Sequence, residues 1–386
     1  MIYATPYLLL FLFLVYLYWI SRFKYHNKML YQKASLHSAN VYERLALLSY
    51  LIFYGLRGYM FTDIFQYHEF FESINDFEFK WSYSEFNFEP GYVLCNIIIH
   101  YFGSSPFFFQ FVWTLIDVIF LYFILKYETG PYFLLAFAFL VPLFDGIQIN
   151  MLRNVKGILL FYFALRYIRE RNFAKYFVCV LLGTLIHIST ALLLPFYFFI
   201  NRKMRLIMIG LSVLSIVLYF SDLSILNIVF TFLSAKMGGK VEDVATSYMN
   251  STTGAGLTLG FLYRMFILMF LLLKYDRLGK YNLILLNLAI LYICCNTAFN
   301  SILIMRDRLS SLFAIGIIGI LPYIKDVIKQ KPIKRVFVAV NIVCLLGFVY
   351  NPHSNIVAKY SNFLTGVEDR KSAESRINSY IVNHER

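Results

Sequence analysis

The chain has 386 residues, of which 60% are hydrophobic, 19% aromatic and only 15% charged, with a net charge of +13. Soluble domains are nearer a quarter charged, so the composition excludes a soluble globular domain and predicts an all-α, polytopic integral membrane protein. A charge of +13 on a soluble chain would point towards nucleic acid. Here its placement along the chain argues against such a partner.

A crossing helix needs about 20 mostly apolar residues. Apolar runs near 4–21, 42–57, 106–126, 131–149, 153–168, 174–200, 205–220, 257–273, 281–300, 306–323 and 336–350 predict about 11–12 transmembrane or re-entrant helical segments. The first run lacks a basic leader and a small-residue cleavage site, so it is expected to be a retained helix. The run 174–200 has basic residues on both sides and is too short for two crossings. A re-entrant pair of half-helices is expected there, with its break between His187 and Pro195. Residues 1–350 are expected to form a single membrane domain. Within it, 58–105 is an external loop whose end, 90–102, forms an interfacial helix, and 221–256 is a second external loop. Residues 351–386 read as a polar tail. The chain shows no internal repeat of the kind many transporters carry.

The positive-inside rule tests this arrangement. The loops around 22–44, 126–128, 166–175, 201–205, 274–280 and 325–335 hold 21 Lys and Arg against five acids. They are assigned to the cytoplasm, and both termini face outward. The positive charge is thus an orientation signal. The five cysteines form no CxxC pair, and no DxD-like or His-rich cluster occurs, so neither a metal nor a cofactor is expected.

Charges retained at membrane depth point to function by default. Arg57 closes the second span, with Asp63 and Tyr67 following it. Glu89 precedes Pro90 and Gly91 at the start of the interfacial helix. Arg153 opens a mid-chain helix, where it opposes the helix dipole. His187 lies in the middle of GTLIHISTALLLPFY, and Arg264, Arg306 and Arg308 follow on later spans. Each has a structural alternative. Arg57 is also placed to snorkel to the interface, Glu89 to cap its helix, and His187 to be a satisfied core histidine. Arg306 and Arg308 are about 200° apart around a helix, so they do not both face one ligand unless the helix starts there. Asp117 is read as a hydrogen-bonding partner of a neighbouring helix.

RGYMFTDIFQYHEFF, the following Glu-Pro-Gly, MLRNVKGILLFYFALRYI, LLGTLIHISTALLLPFY and MRDRLSS occur in this order over about residues 40–325. The set resembles the EpsG family of Wzy-type polysaccharide polymerases. Asn154 departs from it, where the family often has Gln or another small polar residue. The resemblance implies a bacterial inner-membrane glycosyltransferase with its active site facing the periplasm or outside. Its substrate would be an undecaprenyl-diphosphate-linked oligosaccharide, polymerised into O-antigen, capsule or exopolysaccharide, with a chain-length regulator protein as a possible partner. On that reading Asp63, Glu89 and His187 are the candidate catalytic groups. Arg57, Arg153, Arg264, Arg306 and Arg308 are candidate diphosphate ligands, and Tyr67, Trp81 and Tyr92 are candidate sugar platforms. A flippase or transporter, an O-antigen ligase and another lipid-linked glycosyltransferase stay open as alternatives.

Overall fold

The computed structural model describes residues 2–25, 39–74, 88–221, 257–300 and 302–384. Among them every regular element is helical, and they group into two compact units. The first comprises Met1–Tyr197 with Arg335–Arg386, and the second Phe198–Lys334. The expected loop 221–256 and the candidate Trp81 lie, apart from Ser221, outside the described residues.

The first unit contains α1 (Thr5–Tyr25), α2 (Val41–Gly55), α3 (Asp63–Glu72), α4 (Pro90–Phe102), α5 (Pro106–Thr129), α6 (Phe133–Ala138), α7 (Leu140–Asn150), α8 (Leu152–Arg169) and α9 (Phe173–Ile186). The second unit contains α10 (Arg205–Phe220), α11 (Leu259–Leu273), α12 (Tyr275–Ala298), α13 (Leu303–Ser311) and α14 (Ala314–Val327). The chain then re-enters the first unit along α15 (Lys331–His353) and ends in α16 (Arg370–His384). Four helices are long and apolar enough to cross a membrane, and the bent pair α13–α14 makes up to five. The chain is therefore a multi-pass membrane protein. Other apolar helices are shorter than a crossing, including α9, α10, α11 and the 3₁₀ segment Ile188–Phe198. The expected span at 131–149 is divided between α6 and α7, whose helices meet at Phe139.

The helix expected at 90–102 is α4, and the stretch 58–105 also contains α3. Their aromatic faces close on α5 in one core that includes Phe70, Phe71, Phe88, Tyr92, Phe109 and Trp113. Among the described residues, several buried charges are paired. Lys156 lies 2.5 Å from Asp117, which also accepts from Gln148 at 2.7 Å. Lys126 pairs with Glu43, and Arg169 with Glu128. Asp117 thus ties α5 to α7 and α8, which is the structural role the sequence assigns to it.

The polar tail is folded back onto the first unit. Backbone bonds run from Gly58 N to Ser361 O, from Phe61 N to Val357 O and from Phe363 N to Leu56 O. Arg376 donates to the carbonyls of Ile356 and Tyr59 and pairs with Glu368. The segment that leads into α3 is therefore held by the tail rather than by its own neighbours in sequence.

Candidate active site

Residues 173–198 form a hairpin. Helix α9 runs for 14 residues, about 21 Å, and ends at His187, whose φ of −154° and ψ of 119° are extended. The 3₁₀ segment Ile188–Phe198 then returns for about 22 Å. Tyr176 donates to the carbonyl of Leu193 at 2.5 Å, and the Phe173 and Tyr197 rings lie 5.0 Å apart, so the two limbs run side by side. Neither limb alone spans a hydrocarbon layer of about 30 Å. His187 sits at the tip, at the break the sequence predicts.

Two helix N-termini meet this tip. Pro90 opens α4, where its fixed φ suits the first helical position and its missing N–H leaves no donor unpaired. Glu89 is the N-cap residue, yet its side chain makes no capping hydrogen bond to its own helix. The carboxylate turns instead to the hairpin. Its Oε1 accepts from the Ile188 N–H at 3.2 Å and lies 2.9 Å from His187 Nδ1, and its Oε2 lies 2.5 Å from Arg153 Nη1. Arg153 is in the first turn of α8. Its guanidinium stacks 4.3 Å from the Phe88 ring centroid and hydrogen-bonds with Tyr67 on α3. Asp63 begins α3 one turn before Tyr67, and its charge acts on the Tyr67 hydroxyl.

Glycines set this approach. A Cβ on Gly91 would stand 2.7 Å from the Leu185 carbonyl oxygen, two residues before His187. A Cβ on Gly183 would stand 2.7 Å from Thr190 Cγ2, and one on Gly157 would collide with Thr190 Oγ1. The pairing of α8 with the hairpin, and of α4 with its tip, therefore depends on hydrogen at these three positions. Ser189 adds a bond to Asn154 at 3.2 Å.

The site is enclosed but reachable: the side chains of Glu89, His187 and Arg153 are 17%, 15% and 21% exposed. Burial works against the Glu89 charge, but the His187 hydrogen bond and the Arg153 charge outweigh it and hold the carboxyl at about 2. Glu89 is consequently ionised and a weak base. A carboxylate that accepts from His187 Nδ1 fixes that nitrogen as the donor and leaves Nε2 as the basic one. The N-termini of α4 and α8 add partial positive charge beside Arg153, so the surroundings favour an anionic group.

The remaining candidates have other surroundings. Arg57 is expected to hold a diphosphate, but it is only 1% exposed, and it donates to the carbonyls of Tyr54 and Ile149. The Asp145 charge acts on it from α7, and Asp145 in turn contacts His353 at 2.7 Å. Tyr92 is fully buried, with its ring stacked 5.8 Å from Trp113, and presents no face to a sugar. Tyr67 is 5% exposed and meets Arg153 through its hydroxyl rather than offering its ring. In the second unit, Arg264 lies among Tyr292, Arg306 and Asp307, and Arg306 pairs with Asp307 at 2.8 Å. Arg308 is exposed. Phe88, Gly157, Gly183 and the Ile188 N–H are parts of the site that the sequence reading does not select. The Pro after Glu89 and the Gly spacing are the only signals that mark them.

The chain is thus a helical multi-pass membrane protein with an Arg–Glu–His centre built from three helix ends. The sequence profile of the EpsG family matches residues 40–364, most of its length, and the chain belongs to that family, which is associated with polysaccharide polymerase-like proteins. No curated protein and no solved structure matches it.

Proposed function

We propose that the protein is a membrane glycosyltransferase that polymerises oligosaccharide repeat units carried on undecaprenyl diphosphate, at the outer face of the bacterial inner membrane. The observation that carries this reading is the meeting of Glu89, His187 and Arg153, supplied by α4, the hairpin tip and α8. Family membership supports polysaccharide biosynthesis as the setting. Polymerisation needs a base for a sugar hydroxyl and a cation for a diphosphate leaving group, and the cluster supplies both.

In this reaction the acceptor hydroxyl of a new lipid-linked unit attacks the anomeric carbon of the growing chain. The new C–O bond forms as the bond from that carbon to the diphosphate oxygen breaks. The hydroxyl proton passes to His187 Nε2, and undecaprenyl diphosphate departs with the electron pair. Glu89 is the positioning residue: it holds the imidazole by Nδ1 and stabilises the imidazolium, as the third member of a catalytic triad does. Arg153 keeps further N–H groups for a phosphate oxygen. Asp63 is read as a carboxylate acting through Tyr67. General base help of this kind is worth about 10²–10⁴-fold in rate.

Gene deletion followed by gel analysis of surface polysaccharide tests the reading. The expected result is a single-repeat product in the deletion strain and long polymer on complementation. His187→Ala, present in the membrane at normal level, should leave the single repeat. Loss of all surface product on deletion would favour a flippase and overturn the proposal.

A further inference from the structure

A second charged site lies wholly within the second unit, apart from the Arg–Glu–His centre. Helix α12 begins at one surface of its span, and the next span, α14, ends at that same surface, because the two run in opposite directions side by side. Their contact is close: a Cβ on Gly316 would overlap the backbone of Leu288 and Ala289. Between these two ends is an open pocket of ≈ 500 Å³, lined by Arg277, Lys280, Tyr281, Asp326, Val327 and Lys329.

The lining follows from helix geometry. Arg277, Lys280 and Tyr281 are three and four residues apart on α12 and so share one face. Asp326 lies in the last turn of α14, and Lys329 follows just past its end, where Ile328 is extended; buried Val327 completes the lining. Three cations thus surround one carboxylate. The other acid nearby, Asp276, pairs with Arg205 at 3.3 Å and is not part of the lining. Tyr281 is half exposed and packs 5.1 Å from the Tyr323 ring, which places an aromatic pair at the lip. Tyrosines in this position favour the membrane–water interface. The α12 chain also breaks beside the pocket: Asn282 has φ −160° and ψ 100°, and its side chain caps the restarted helix through Leu285 N. The kink separates the first turns of α12, which carry Arg277 and Lys280, from the rest of the helix.

We propose that this pocket binds a phosphoryl group, and that its source is the headgroup of an anionic phospholipid. The cation excess supplies the attraction, and the position at the end of two spans puts the pocket at headgroup depth. A basic pocket between helices at a membrane surface is suited to such headgroups. The site needs no part of the polymerisation reading, so either can fail alone.

The test uses the purified full-length protein in neutral detergent, with phosphatidylglycerol, phosphatidylcholine of the same chains, and inorganic phosphate as probes. Retention of each lipid is measured by native mass spectrometry, and thermal midpoints are measured with and without phosphate. Wild type should retain phosphatidylglycerol over phosphatidylcholine. A Lys or Arg near an anionic surface is worth about fivefold in affinity, so Lys280→Gln with Lys329→Gln should weaken retention about twenty-five-fold. Asp326→Asn should strengthen it, a result no unfolding of the double variant can imitate. Stabilisation by inorganic phosphate that the double variant loses, with no lipid preference, would assign the same site to a soluble phosphate and overturn the lipid source. Equal retention of phosphatidylglycerol by wild type and the double variant, or weaker retention by Asp326→Asn, would overturn the site itself.

Discussion

Glu89→Gln separates the orienting role of this residue from its shape. The side chain keeps its length, but the charge that Arg153 meets at 2.5 Å is gone, and one of the two oxygens becomes an N–H donor. Two effects follow. The first is on stability. Holding the carboxyl at about 2 rather than the ordinary 4.5 corresponds, at about 1.4 kcal/mol per tenfold, to roughly 3 kcal/mol. Truncating one partner of a buried pair costs about 3–5 kcal/mol, and partial exposure of this pair argues for the lower end. The sign with pH is fixed by the depressed value. The contribution is complete above the unfolded carboxylate value and is lost as the pH falls from about 4.5 towards 2. The thermal midpoint of wild type should therefore fall through that window, and the Glu89→Gln variant should show a flatter profile.

The second effect is on the histidine. An amide N–H facing His187 Nδ1 favours the tautomer with its proton on Nε2, which removes the base. An Asp→Asn change in a comparable triad lowers turnover by about 10⁴ through the wrong tautomer. We expect Glu89→Gln to reduce polymer formation in isolated membranes by about 10²–10⁴-fold while the protein remains membrane-inserted. His187→Ala should lower it to a similar level, and the double variant should be little worse than either, since residues acting as a unit are not additive. Wild-type polymer length from Glu89→Gln, or additive losses in the double variant, would refute the dyad.

Two other substitutions test the frame around the site. Gly91→Ala places a methyl 2.7 Å from the Leu185 carbonyl, and should cost about 1–3 kcal/mol as α4 moves off the hairpin tip; a lowered thermal midpoint together with shortened polymer is the expected result, and an unchanged midpoint would show that the approach is not tight. Lys156→Met leaves Asp117 buried without its cation and should destabilise by about 3–5 kcal/mol, whereas Lys156→Met with Asp117→Leu should recover much of that loss; midpoints of the two variants decide it.

The centre was legible because each of its residues interrupts an apolar pattern at a helix end. Pro90 announces the start of α4 and so exposes Glu89, a charge opens α8 at Arg153, and an isolated histidine marks the turn of a segment too short to cross twice. What was not legible is which way a polar side chain turns once the helix is placed. Arg57 lies at a span end as expected, yet its guanidinium folds inward onto the carbonyls of Tyr54 and Ile149. Tyr92, three residues past Glu89 on the same helix, faces the aromatic core instead of the site. Partners far apart in sequence are equally silent: Asp117 shows its cost in the apolar run, but nothing in the run names Lys156 as the group that offsets it. The tail misleads for another reason. Its attachment to residues 56–61 is made mostly by backbone groups, which carry no compositional signal, so a polar segment without a motif proves to hold the segment leading into α3. That placement gives the tail a share in the site, since α3 carries Tyr67 and Tyr67 meets Arg153. The centre is thus set at helix ends that the sequence punctuates, while its rigidity comes from glycine contacts and backbone ties that composition does not reveal.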